Sequence, residues 1–163
     1  MNTKPMHEDI IIKIATTAAQ FEDGRILFRK YAASLSIDLS FQDFEHELSV
    51  MNKQYNEPKG ALLIAYKNSL PIGCVAIRES ERNIAELKRM YVDPGYRRLK
   101  LGKNLLQSAI DTARELNYQF IRLDTLPEMK QALELYRSFG FYEIQPYRFN
   151  PVNGAVFMEK KLD

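Results

Sequence analysis

Apolar positions along the chain alternate between two spacings, and the switches lay out an order of strands and helices. Residues 9–15, Asp-Ile-Ile-Ile-Lys-Ile-Ala, form a short β-branched run that reads as a strand. Phe21, Leu27, Phe28, Tyr31 and Leu35 follow on a helical stripe, predicting a helix over about residues 18–35 capped by Thr16 or Thr17. Gly24 in its middle costs about 1 kcal/mol relative to Ala and marks a candidate break. Ser40 with Asp43 repeats the capping pattern before a second helix carrying Phe44, Leu48 and Met51 on one side.

Two apolar runs, 61–66 and 72–78, joined by Lys67-Asn68-Ser69-Leu70-Pro71, predict an antiparallel hairpin. A further strand over 84–92 ends at Pro94-Gly95. Leu101, Leu105, Leu106, Ala109, Ile110 and Ala113 give the clearest amphipathic helix, over 102–116, with Asn117-Tyr118 at its end and a short strand over 120–124 beyond. A helix over 128–139 stops at Gly140, a candidate left-handed cap. The tail reads as two strands around Asn150-Pro151-Val152-Asn153-Gly154, where Asn153-Gly154 is a hairpin signal. Early antiparallel strands followed by a βαβ unit imply an α/β chain: one mixed, mostly antiparallel sheet flanked by helices on both faces. At 163 residues, without repeats or a polar linker, the chain is expected to form one domain over 1–163.

Composition changes little in that picture. Hydrophobic content of 45% and charged content of 27% are ordinary for a soluble globular protein. Cys74 is the one cysteine, so no internal disulfide or cysteine-rich metal site exists; it fits a reducing compartment, and a cytoplasmic location is expected. In Ile72-Gly73-Cys74-Val75-Ala76 that thiol reads as strand core. His7 and His46 are too far apart in sequence to suggest a metal site. No apolar run approaches the roughly 20 residues needed to span a membrane, and no membrane partner is expected.

Charge is more informative locally. From Lys88 to Lys103 six basic residues stand against Asp93 alone, a surplus of five on a chain whose net charge is +2. This stretch runs from a strand through a turn into a helix start, where unpaired amides beside Arg and Lys suit a phosphate or pyrophosphate. Beyond this turn there is no basic stripe with interleaved stacking aromatics, so a nucleic-acid partner is not expected.

The segment Arg97-Arg98-Leu99-Lys100-Leu101-Gly102, after Tyr91-Val92-Asp93-Pro94, resembles the acyl-CoA signature (Arg/Gln)-x-x-Gly-x-(Gly/Ala) of the GCN5-related N-acetyltransferase (GNAT) superfamily. Arg97 and Gly102 match its ends, and Lys100 replaces the middle glycine, which is tolerable if its φ is negative. About 40 residues on, the run from Ala132 to Phe141 resembles the second landmark, Ala-x-x-x-Tyr-x-x-x-Gly-Phe, with Met129 where the family commonly has Asn.

The resemblance implies acetyl-CoA as co-substrate, no metal, and a splayed pair of strands that receives the pantetheine. Backbone groups of Met90, Tyr91 and Val92 would line it, and the turn Arg97, Arg98, Leu99, Lys100, Leu101, Gly102 and Lys103 would hold the pyrophosphate. Tyr136 would be the general acid for the departing thiolate, and the amine would attack directly. Taken alone, Tyr136 also reads as a core aromatic. For the amine's proton, Glu86 is the candidate base, acting through water on the strand face it shares with Lys88 and Met90 under strict alternation. The competing and commoner role is a bystander carboxylate paired with Lys88 or Arg78. Asp124 and Thr125 either line the acceptor pocket or cap the next helix. Tyr142, Tyr147, Arg148, Phe149 and Asn150 either close over an acceptor, with Arg148 on its carboxylate or phosphate, or form a subunit contact. The acceptor is expected to be a small-molecule or peptide amine of open identity, and a homodimer is plausible on base rates. The alternative function is a non-catalytic acyl-CoA-binding regulatory domain.

Overall fold

The computed structural model describes residues 10–163; Asp9 of the first expected strand, His7 and the side chain of Arg98 lie outside the described residues. Seven strands form one sheet: β1 (Ile10–Ile14), β2 (Ala61–Lys67), β3 (Leu70–Glu81), β4 (Ile84–Val92), β5 (Phe120–Thr125), β6 (Tyr142–Ile144) and β7 (Val156–Lys161). Their spatial order is β1-β2-β3-β4-β5-β7-β6. Every neighbouring pair is antiparallel except β4 and β5, which the helix between them makes parallel.

Helices α1 (Ala18–Ser34), α2 (Phe44–Ser49) and α3 (Met51–Gln54) pack on one face, and α4 (Leu101–Glu115) and α5 (Lys130–Ser138) on the other. Strand β2 shows why its sequence is a continuous apolar run. Ala61, Leu63 and Ala65 enter the core under α4, while Leu62 and Ile64 enter the core under α1. Cys74 belongs to the second core, with its thiol donating to the Arg89 carbonyl at 3.3 Å.

Several local expectations are corrected. Helix α1 runs unbroken through Gly24, which lies against the core: an added Cβ would stand 2.5 Å from Leu62 Cδ2, so that side chain would have to shift. A capping box starts that helix, with the Thr17 hydroxyl accepting from Gln20 N and the Gln20 side chain accepting from Thr17 N. Ser40 is not the cap of the next helix. Asp38 accepts from Ser40 N to start a 3₁₀ turn over Leu39–Gln42, and Asp43 then takes a left-handed conformation that re-aims the chain into α2. The β2–β3 connection is a tight Asn68-Ser69 turn with both residues at positive φ, so Leu70 and Pro71 belong to β3. In the tail, Asn153-Gly154 does not close a two-residue hairpin: an 11-residue connection separates β6 from β7.

Two features of the backbone shape the site. In β3–β4 pairing, Cys74 faces Tyr91 but Ala76 faces Lys88, so β4 holds one extra residue. Arg89, at φ 58°, sits in this bulge. The extra residue reverses the alternation: Ala85 and Leu87 join the α4-side core, and so do Met90 and Val92. Met90 therefore does not share a face with Glu86 and Lys88, contrary to strict period-2 reading. The second feature is a parting of strands. β4 pairs with β5 only at Ile84, Ala85 and Glu86, leaving Leu87–Val92 without a strand partner on that side.

Candidate active site

The opening between β4 and β5 joins two cavities. The larger, about 690 Å³, is bordered by Met90, Val92, Arg97, Lys100, Gly102 and Lys103 on one side and by α5 residues such as Leu135 on the other. The smaller, about 80 Å³, lies deeper, among Lys88, Asp124, Tyr136, Arg148 and Asn150. Tyr31, Met90, Met129 and Ala132 border both, so the two communicate.

The wall of the larger cavity is made by the turn after β4. Asp93 accepts from Gly95 N at 3.0 Å and starts a 3₁₀ turn over Pro94–Leu99. Lys100 follows at φ 55°, so the condition under which a side chain is readily tolerated there, a negative φ, is not met, which shows why a glycine suits this position. The turn delivers the N-terminus of α4, which has no side-chain cap and no acid in its first turn. Its amides and the positive end of the helix dipole are thus available to an anion. Arg97, with Nε donating to the Val92 carbonyl at 3.3 Å, adds a guanidinium at the same edge. A Cβ at Gly102 would meet Leu135 and Val92 only at 3.8 and 4.0 Å, so internal packing does not demand glycine there. Its value is room in the cleft.

Tyr136 is fixed by the end of α5. Phe141 N donates to Tyr136 O and Gly140 N to Arg137 O, with Gly140 at φ 91°: a Schellman cap. The accompanying apolar contact is Phe141 against Tyr136, edge to face at 5.7 Å. The spacing Tyr-x-x-x-Gly-Phe is therefore a device for holding this ring. Tyr136 belongs to the α4-side core, as its core-aromatic reading has it, and also borders the small chamber. Burial pushes its phenol up, keeping the proton on oxygen at neutral pH.

The chamber is densely charged. Glu86 is 1% exposed, and its Oε1 accepts from Arg78 Nε and Nη2 at 2.9 and 2.8 Å. Its Oε2 accepts from the Tyr147 hydroxyl at 2.8 Å and lies 3.4 Å from Arg148 Nη2. Lys88 Nζ stands 3.9 Å from Glu86 Oε1. Asp124 is bonded by Arg148 Nη2 and, at 3.0 Å, by Asn150 Nδ2. The pairing of Glu86 with Arg78 and Lys88 that the sequence suggested is present. Tyr147, Arg148 and Asn150 of the β6–β7 connection also meet at this place. Tyr142 instead bonds Glu159 at 2.6 Å, and Phe149 is 76% exposed. Thr125 borders the chamber with its hydroxyl 3.6 Å from Met129 Sδ.

Burial, together with the guanidiniums of Arg89, Arg148 and Arg78, pulls the Lys88 amine down to about 7 against the pull of Glu86. Arg89 has its own partner: Glu47 takes Nε and Nη2 at 3.0 and 2.7 Å and also accepts from Tyr55 at 2.9 Å. Burial alone would raise the Glu47 carboxyl, but the hydrogen bonds and charge of Arg89 hold it below its ordinary range. Sequence reasoning missed Glu47 and Tyr31, the latter packing edge to face on Tyr91 at 6.4 Å beneath Arg89. One signal was present: Glu86, Lys88 and Arg89 interrupt an apolar strand, and buried charges require partners. Among the described residues no group of His, Cys, Asp and Glu is arranged to hold a metal ion, and no helix is long and apolar enough to cross a membrane.

Comparison with known proteins agrees with this arrangement. The chain is 33% identical over 156 residues to an uncharacterized N-acetyltransferase of Schizosaccharomyces pombe, covering 94% of this chain and 96% of that one. A solved acetyltransferase of the GNAT family from Staphylococcus aureus superposes with a TM-score of 0.77 at 27% identity, covering 95% of this chain and all of that one. A Salmonella typhimurium acetyltransferase, described as putative and solved with its cofactor acetyl-CoA, shares the fold with a TM-score of 0.69 at 17% identity, over 94% of each chain. Residues 27–141 match the Acetyltransferase (GNAT) family, and the chain belongs to that family.

Proposed function

We propose that this protein transfers the acetyl group of acetyl-CoA to a primary amine by direct attack. The observation that carries the reading is the parting of β4 from β5 beyond Glu86. It joins an uncapped helix N-terminus to a charged chamber, with Tyr136 at the border. Acetyl-CoA supplies an acetyl group activated as a thioester. The amides of Leu101, Gly102 and Lys103, with Arg97 and Lys100, hold the pyrophosphate, and the unpaired edge of Met90–Val92 pairs with the amides of the pantetheine arm. Arg98 and Leu99 contribute backbone to the same turn.

Tyr136 carries the proton that the leaving sulfur requires. The amine attacks as the free base, its ammonium proton already released to solvent; the phenol, neutral at pH 7, protonates the sulfur, and the resulting phenolate recovers a proton from the newly acylated nitrogen, which balances the transfer. Glu86 is assigned a positioning role rather than that of the base, because both of its oxygens already accept from Arg78 and Tyr147. It gathers the cations of the chamber. We place the protein in the cytoplasm, acting on a small-molecule or peptide amine.

Calorimetric titration with acetyl-CoA, followed by free-thiol release against a panel of amines, tests the reading. Saturable binding with amine-dependent thiol release is expected. Binding with no release from any amine would favour the acyl-CoA-binding regulatory domain, and absence of binding would end both.

A further inference from the structure

The charges of the small chamber do not balance within the protein. Glu86 and Asp124 face three cations, Arg78, Lys88 and Arg148. Every carboxylate oxygen already accepts from a donor other than Lys88: Arg78 on one oxygen of Glu86, Tyr147 on the other, Arg148 and Asn150 on Asp124. Lys88 Nζ, at 3.9 Å from Glu86, is beyond hydrogen-bond reach although its side chain is only 3% exposed. Arg148 is likewise incompletely used, since its Nε is buried without a hydrogen-bond partner. Neighbouring Arg89 is matched separately by Glu47.

Lys88 is thus buried with only a long ion pair to Glu86, and Arg148 Nε is buried with no acceptor; such under-used cations are costly, and chambers that keep them are commonly binding or catalytic sites. Burial is the largest cause of the depressed basicity of Lys88, and the guanidiniums of Arg89, Arg148 and Arg78 add to it against the pull of Glu86. The surplus is one positive charge, in a chamber of about 80 Å³ that opens toward Met129 and Tyr136. A single small carboxylate matches both the charge and the size, and an amino acid carries one net negative charge once its amine is the free base that attacks.

We propose, on the acetyltransferase reading above, that the acceptor is a small amino acid whose carboxylate docks between Lys88 and Arg148 while its amine points toward Tyr136. The carboxylate neutralises Lys88 and gives Arg148 a further acceptor. The amine is then held on the side of the chamber that communicates with the larger cavity. Recognition of this kind discriminates strongly against the same amine lacking its charge, because the chamber's cations are then left unmatched.

The test follows Lys88 itself, using the full-length chain saturated with CoA and carrying ¹³C-labelled lysine, with the resonance identified by its absence in Lys88→Met. Three probes are compared: N-acetylglycine, which is the smallest product of the proposed class, its primary amide N-acetylglycinamide, and inorganic phosphate. N-acetylglycine is expected to raise the Lys88 titration midpoint by at least about one unit, with the amide leaving it in place. Arg148→Gln should weaken N-acetylglycine at least tenfold. Equal shifts from acid and amide, no shift from either, or a shift from phosphate alone would overturn the carboxylate assignment. Calorimetric titration of the CoA-free protein with acetyl-CoA separates the two readings. If binding is found while the Lys88 test fails, only the amino-acid inference falls; if none is found, the acetyltransferase reading falls with it.

Discussion

The turn between Asp93 and Lys103 presents main chain to the cleft, whereas the chamber at the other end is built from polar and charged side chains of five separate stretches, four of them charged. On the first side, a 3₁₀ turn, a left-handed Lys100 and an uncapped helix start are set by residues adjacent in sequence. On the second, Tyr31, Arg78, Lys88, Asp124 and Arg148 converge only because the sheet is assembled and β4 is bulged. A backbone-built wall tolerates side-chain change, since amides remain whatever residue carries them. A wall of paired charges depends on each partner.

The largest expected effect follows from that contrast. Glu47→Gln leaves Arg89 buried against a neutral amide and should cost about 3–5 kcal/mol in urea unfolding. Asp93→Ala removes the side chain that starts the basic turn, and should cost about 1 kcal/mol. Similar losses from both would erase the distinction between the two walls.

Tyr136→Phe is next. The phenyl ring keeps its edge-to-face contact with Phe141 and the Schellman cap keeps its backbone, so only the hydroxyl is lost. Turnover should fall by about 100-fold or more, with acetyl-CoA affinity within about threefold. Unchanged turnover would return Tyr136 to the role of a core aromatic.

The same contrast explains what was legible in the sequence. Element order and the placing of helices on both faces depend on periodicity and local caps, and these can be read from a single chain; the Tyr136–Phe141 landmark came from the family resemblance, with Gly140 as its locally legible cap. The hairpin turn and the tail were misjudged because positive φ at Asn68 and Ser69, and the long connection carrying Tyr147 and Arg148, are settled by tertiary pairing. The bulge at Arg89 was hidden for a similar reason. Its register belongs to the pair β3–β4, not to β4 alone, and a one-residue shift moves every later side chain to the other face. Glu47 and Arg89 are 42 residues apart, and no spacing rule connects them.

Lys88 gives a smaller, pH-dependent effect. Its amine titrates at about 7 in the folded chain against an ordinary 10.5, so between these values the unfolded chain binds a proton that the folded chain does not. Stability should therefore rise with pH across this window, by up to about 1.4 kcal/mol per unit, while below about 7 the full cost of the buried charge is present. Lys88→Met should remove that slope, as measured by urea midpoints at several pH values. An identical slope in the variant would mean that other groups produce it and that Lys88 is not the surplus charge.

Lys100→Gly has the smallest effect and separates backbone from side chain on the opposite wall. A non-glycine residue at φ 55° stores about 1–2 kcal/mol of strain. Glycine relieves it but loses about 0.4–1 kcal/mol through its freer unfolded state, leaving a net gain between zero and about 1.6 kcal/mol. Lys100→Ala supplies the control, because it keeps the strained φ while removing the ammonium. If the amides alone hold the pyrophosphate, both variants should bind acetyl-CoA within about threefold of the parent, with only the glycine variant more stable. If Lys100 adds a phosphate contact, both should bind more weakly and with a shallower salt dependence, because one fewer cation is engaged. A loss of affinity confined to alanine would show that alanine gives up the left-handed φ, and that the geometry of the turn, not its charge, governs this end of the cleft.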